Sequence, residues 1–195
     1  MSPRTKEQNN KIREERRLHI MDVALELFAN NGYHPTSISK IALSAKISKG
    51  LIYNYFDSKE ELLSEIVLHG TLKMHEPFDQ NHDGILTTEE FAYYIREIFR
   101  IQLENPHFWK LFFSLMMQAN VYEKSSDSLK EISIHMQTVL FEFFKKQQFE
   151  DPQLELILFA ATIKGSSLMI LEEPDKFPVK RIIESIIERY SKPNK

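Results

Sequence analysis

Residues 36–61 read TSISKIALSAKISKGLIYNYFDSKEE. This stretch decides the fold, because it places two short helices and the start of a third on very short joints. Ile38, Ile41 and Ala42 fall at i, i+3 and i+4, which gives the first helix one apolar face, and Thr36 or Ser37 can cap it. Ser48 can cap the second helix, where Ile52 and Phe56 lie one turn apart and pack inward. Lys49, Gly50, Leu51, Tyr53 and Asn54 are then left facing outward. Such a face suits nucleic acid: Lys and Tyr reach phosphates, Asn meets base edges, and Gly50 lets the backbone approach a duplex closely. The plain alternative is a helix pair in a core.

The segment from about Arg13 to Leu63 resembles the N-terminal domain of TetR-family transcriptional repressors. The resemblance is carried by AxELFxxxGY in Ala24 to Tyr33, TSISKIA in Thr36 to Ala42 and SKGLIYNYFDSKEEL in Ser48 to Leu62. It implies that Thr36, Ser37, Lys49, Tyr53 and Lys59 hold phosphates, while Ser48, Lys49, Gly50, Leu51 and Asn54 face bases. Two positions depart from the family pattern. Lys46 stands where the family usually has a turn glycine, so it must accept a left-handed or distorted backbone. Leu51 replaces a small or hydroxylated residue and offers only apolar contact, for instance to a thymine methyl.

The chain has 195 residues and is 42% apolar, enough for a proper core in one domain with a small second one. It has no Cys, which excludes disulfides, thiolate zinc sites and Cys nucleophiles and fits a reducing cytoplasm. The first 20 residues are too polar for a signal peptide, and the apolar run Leu156 to Ala161 is too short to span a bilayer, so no membrane is expected. Net charge is −3, unevenly spread: residues 1–60 carry 10 Lys+Arg against 7 Asp+Glu, which leaves 15 against 21 for the rest. A basic reading end on an acidic body can still attract phosphates, because screening makes the local field matter more than the total.

Residues 1–12 lack periodicity and read as a mobile arm, whose Arg4, Lys6 and Lys11 either touch phosphate or are solvated. A helix is expected from about Arg13 to Asn31, with a buried stripe at Ile20, Val23, Ala24, Leu27 and Phe28 and an end at Gly32. Ser58 to Glu61 reads as a capping box opening a long linker helix towards Met74. Further helices are expected over 88–103, 106–122, 128–149, 152–172 and 178–191. Their punctuation is Asn105-Pro106, Asp151-Pro152, a capping box at Ser128 to Glu131, and a loop between Pro174 and Pro178. The fold class is all-α: a helix-turn-helix DNA-binding domain over 1–57 and a helical effector-binding and dimerisation domain over 58–195.

The 106–122 helix is apolar nearly all round and is expected to be central. Trp109, Phe112, Phe113, Met116 and Met117, with His135, are candidate lining for an effector cavity, a feature that TetR-like proteins carry; an ordinary core explains the same pattern. Phe108 belongs to the same stripe, and His107, Gln118 and Lys164 are further polar candidates or plain surface groups. Leu156, Phe159, Ala160, Ile163, Ser167 and Ile170, then Ile182, Ile183, Ile186 and Ile187, give two apolar C-terminal helices. These suit a four-helix dimer interface, which also supplies the second half-site of a palindromic operator.

Asp79 to Glu90, DQNHDGILTTEE, matches a twelve-residue EF-hand loop. Asp79, Asn81 and Asp83 supply side-chain oxygens, Ile85 its carbonyl, Thr87 an oxygen or a bridging water, and Glu90 two more, with Gly84 at the sharp turn. An Asp-Gly turn followed by a Thr87 to Glu90 capping box explains part of the pattern and leaves Asp79 and Asn81 unexplained. Pro77 just before the loop and the lack of a second loop weigh against calcium. No nucleophile elbow, phosphate loop or HExxH is present, so an enzyme is not expected, nor any organic cofactor. The reading is a homodimeric transcriptional regulator, a repressor, with a small-molecule effector and calcium as an added ligand. The alternative is a calcium-sensing module that acts through a protein partner.

Overall fold

The computed structural model describes residues 5–118 and 127–191. Among these residues it contains helices and no strand: α1 Lys6–Asn31, α2 Ile38–Ser44, α3 Lys49–Tyr53, α4 Lys59–His75, α5 Thr88–Glu104, α6 Pro106–Met116, α7 Asp127–Lys146, α8 Pro152–Glu172 and α9 Val179–Ser191, with a 3-10 turn at Pro174–Lys176. Two compact units result, one of Met1–His69 with Leu111–Ser125 and one of Gly70–Lys110 with Ser126–Lys195.

In the first unit α1 begins earlier than its periodicity suggests. Thr5 and Gln8 form a capping box, Thr5 Oγ1 accepting from Gln8 N at 3.2 Å and Gln8 Oε1 from Thr5 N at 3.0 Å, so the expected arm is largely helical. Arg4 lies outside the described residues. The buried stripe is Ile20, Met21, Ala24, Leu25 and Phe28, while Val23 and Leu27 are half-buried. Gly32 ends the helix at φ +87°, a conformation glycine adopts without strain. Ile38, Ile41 and Ala42 of α2, Ile52 of α3, Phe56, and Leu62, Leu63, Ile66 and Val67 of α4 complete this core.

In the second unit α5, α7, α8 and α9 enclose an aromatic core. Phe91 stacks on Phe143 at 4.8 Å, and Phe144, Phe149, Phe159 and Tyr190 close round them edge-on or tilted. Such pairs add roughly 0.5–1.5 kcal/mol each to their burial. The cap-and-proline signals hold: Asn105 Oδ1 accepts from Phe108 N, and Asp151 Oδ1 from Leu154 N. Ser128, in contrast, lies inside α7 rather than ahead of it.

Two expectations about the body change. Helix α6 is described to Met116, and 119–122 of the expected 106–122 span lie outside the described residues. Its burial is one-sided: Trp109, Phe112 and Leu115 are buried, whereas Met117 just beyond it is 75% exposed. Helix α8 is apolar around its whole circumference, so periodicity could not say which stripe meets the core. Phe159, Ile163, Ser167, Ile170 and Leu171 face inward, and the outward stripe is Leu154, Ile157, Leu158, Leu168 and Met169. Ile163 therefore belongs to the protomer's own core, as does the half-buried Ile183 packed against it. By length and composition alone α8 could cross a membrane; one of its faces is instead taken up by the core.

Candidate nucleic-acid interface

The reading helix is positioned by caps and by its two apolar anchors. Ser37 Oγ accepts from Lys40 N at 3.2 Å, and Ser48 Oγ from Leu51 N at 3.1 Å, satisfying donors that a short helix cannot satisfy itself. Between α2 and α3, Lys46 takes φ +57°, the left-handed turn expected where the family carries glycine. Ile52 and Phe56 are fully buried, which turns Ser48, Lys49, Gly50, Tyr53 and Asn54 outward, all exposed, with Leu51 half-exposed beside them. A Cβ added at Gly50 would meet nothing within 4 Å, so no crowding inside the chain requires glycine there. Lys49 Nζ lies 5.9 Å from the Tyr53 ring centre, placing a cation and a hydroxyl-bearing ring together on this face. Ser37 is exposed at the start of α2.

Two residues assigned to phosphates do other work. Thr36 is 0% exposed; its hydroxyl donates to Gly32 O at 2.8 Å, tying the start of α2 to the end of α1. Lys59 Nζ donates to Tyr33 O at 3.1 Å, His34 O at 3.3 Å and Thr36 O at 3.0 Å, and sits 4.3 Å from the Tyr33 ring centre. An ammonium has three donors, and here three carbonyls of the α1–α2 joint take them. The joint needs this, because residues 32–36 carry a glycine and a proline and form no helix of their own. Tyr33 is held from its other side: its hydroxyl donates to Glu60 Oε1 at 2.9 Å, and burial, followed by that carboxylate, pushes its pKa well up. Gln118, considered above as a ligand contact, bridges the same region, donating to Phe28 O at 2.8 Å and accepting from Tyr33 N at 3.0 Å.

A group that the sequence reading left unassigned lies on α1. Arg16 and His19 are exposed and, with Ile20, Ile47 and Leu51, line a cleft of about 280 Å³ beside the reading helix. Their i, i+3, i+4 spacing was visible in the sequence, but only the placement of α3 gives it meaning. Arg13 Nη2 donates to Asn54 O at 3.4 Å, and Arg17 pairs with Glu65, so α1 braces the pair and the linker helix.

The candidate effector residues divide between the two units. Trp109 is a core residue whose Nε1 donates to Ile101 O at 3.0 Å. Phe112 is buried, Phe113 and Met116 are half-buried, Met117 is exposed, and His135 is half-exposed. The reading missed Gln102 on α5, 1% exposed, with neither its amide oxygen nor its nitrogen hydrogen-bonded. A buried amide without partners costs about 1–3 kcal/mol per group, so a polar contact from outside the chain would be favoured there.

The loop over 79–90 folds tightly. Gly84 takes φ +74° and donates to Asp79 Oδ2 at 2.9 Å; Asn81 Oδ1 accepts from Asp83 N at 3.0 Å, and Asp83 Oδ1 from Ile85 N at 2.8 Å. Glu90 Oε2 accepts from Thr87 N and from the Thr87 hydroxyl, which caps α5. Among the described residues, no three His, Asp or Glu side chains already stand together as a metal cage.

A braced helix-turn-helix with an open basic and polar face, joined to a helical body, defines the class. Residues 20–66 match the family described as bacterial regulatory proteins, tetR family. The chain is similar to the HTH-type transcriptional regulator HbdR of Aromatoleum sp. (strain CIB), 49% identical over 53 residues, which are 27% of this chain and 23% of that one. It is also similar to the fatty acid metabolism regulator protein of Bacillus subtilis (strain 168), 48% identical over 46 residues, 24% of each. These matches span about a quarter of the relatives' length. Over the whole fold, FadR from Bacillus subtilis in complex with stearoyl-CoA superposes with a TM-score of 0.68 at 23% identity, covering 91% of this chain and 99% of that one. A Clostridium perfringens fatty acid metabolism regulator gives 0.69 at 23%, covering 88% and 96%. The N-terminal segment thus matches the TetR-family domain and the whole chain shares the fold of these regulators.

Proposed function

We propose that the protein is a transcriptional repressor that binds a palindromic operator in double-stranded DNA as a homodimer in the cytoplasm and is released by a small-molecule effector held in its helical body. The observation that carries the reading is the outward face of α3: Ser48, Lys49, Gly50, Tyr53 and Asn54 stand exposed on a helix fixed by two buried anchors. Lys49 and Tyr53 suit phosphates, Asn54 suits a base edge, and Ser37 at the start of α2 suits a second phosphate. The outward stripe of α8, with Ile157 61% exposed, supports a two-fold helix pairing that would cover it. For the effector, Gln102 offers one buried polar side chain of the body without a hydrogen-bond partner. The stearoyl-CoA complex of FadR makes acyl-CoA the first class to try.

Selection of duplexes from a random pool by the purified chain tests the reading. The expected product is a two-fold symmetric sequence whose half-sites lie about one helical turn, ~34–36 Å, apart. A pool that remains random after repeated rounds would overturn it.

A further inference from the structure

We propose that the loop between α4 and α5 binds one calcium ion through Asp79, Asn81, Asp83, the Ile85 carbonyl, Thr87 and Glu90. The spacing of oxygen donors at positions 1, 3, 5, 7, 9 and 12, with Gly84 at position 6, is what a hard cation of six to eight oxygen ligands requires. Three of these donors are not Asp, Glu or His side chains, so the site need not present a cluster of carboxylates in advance.

The independent observation is Asp79. It is 2% exposed, and its carboxylate is turned into the loop, because Oδ2 accepts from Gly84 N at 2.9 Å. Its other oxygen, Oδ1, is buried and has no hydrogen-bond partner. His135 comes near, Nε2 at 3.9 Å, but to Oδ2. A buried charge is tolerated when it is paired or coordinates a metal, and Oδ1 at position 1 is where an EF-hand places its first ligand. The loop is also held at both ends by the core, Phe78 packing edge-on to Tyr94 at 5.1 Å and Leu86 buried at position 8. Glu90, which now closes the capping box of α5, would turn to add its carboxylate to the ion, and the Asn81 and Asp83 side chains, now hydrogen-bonded within the loop, would turn with it.

Calcium chloride titrated by calorimetry into the chelator-treated full chain is expected to show one site per chain, with a Kd of about 10⁻⁶–10⁻⁴ M, between sensor loops and weaker extracellular modules. Two variants isolate ligation from folding. Asp79→Asn keeps an acceptor for Gly84 N, and Glu90→Gln keeps the capping box, in which Gln serves as well as Glu. Each should weaken calcium at least tenfold with unchanged circular dichroism. Absence of calcium heat in the wild type at millimolar ion would overturn the proposal. So would wild-type affinity in both variants.

Discussion

The outer face of α3 and the joint between α1 and α2 use the same side chains for opposite purposes. On α3, Lys49 is exposed with Tyr53 and Asn54 beside it. At the joint, Lys59 and Thr36 spend their donors on main-chain carbonyls of residues 27–36. Both lysines stand at the start of a helix in a segment resembling a DNA reader, and both were expected to hold phosphates. The difference is what lies within reach: three main-chain carbonyls of a non-helical joint surround the Lys59 ammonium, while Lys49 projects from an exposed helix face. A joint that makes no helix leaves its carbonyls to other donors, and a cation within reach satisfies them before it can serve a ligand. The polar pattern of this segment therefore mixes exposed residues, proposed above to touch DNA, with residues that hold the reading pair in place.

Mutations separate these roles, and the largest effect lies in the body rather than the head. Replacing Leu158 and Leu168 on the outward stripe of α8 with Glu puts unpaired carboxylates into the proposed seam. Light scattering should then report monomers where the wild type is a dimer, with the protomer still folded, since neither side chain faces its core. A dimeric double variant would place the pairing elsewhere.

Next in size is Lys59→Met, which strips three carbonyls of a charged donor. Loss of about 2–3 kcal/mol is expected, a fall of roughly 5–10 °C in melting temperature for a chain of this length. Differential scanning calorimetry decides it, and an unchanged melting curve would return Lys59 to the DNA face. Gly50→Ala should act in the reverse sense. The added methyl meets open space inside the protein and Ala favours a helix by about 1 kcal/mol, so stability holds or rises. DNA affinity should nevertheless fall by about tenfold, or about 1.4 kcal/mol, because the duplex now meets the methyl. Equal affinity would mean that the backbone of α3 does not approach DNA closely.

Much of this was legible in the sequence. Helix order, the caps at Ser37, Ser48, Asn105 and Asp151, the strained Lys46 and the anchors Ile52 and Phe56 follow from local chemistry and from spacing along one helix, which the chain carries in order. What failed depends on neighbours distant in sequence. Lys59 looked like a free ammonium until the α1–α2 joint, far upstream in the chain, was placed against it. Ile163 and Leu158 are equally apolar, and only the position of the aromatic core separates the inward from the outward stripe of α8. The unpaired amide of Gln102 is a property of its surroundings, invisible in a helix that reads as ordinary. The early start of α1 was legible but overlooked: Thr5 and Gln8 spell a capping box within a stretch that lacks apolar periodicity.

The most direct test of the reading head compares salt dependence with stability for Lys49→Ala, using the duplex selected from the random pool. A phosphate contact releases counterions, so the slope of log affinity against log salt should become shallower by about 0.9 in Lys49→Ala. The melting temperature should stay near that of the wild type, as for an exposed side chain outside the core. Lys59→Met, kept below its melting temperature, should retain the wild-type slope. A Lys49→Ala slope equal to that of the wild type would contradict the assignment of α3 as the DNA-reading face.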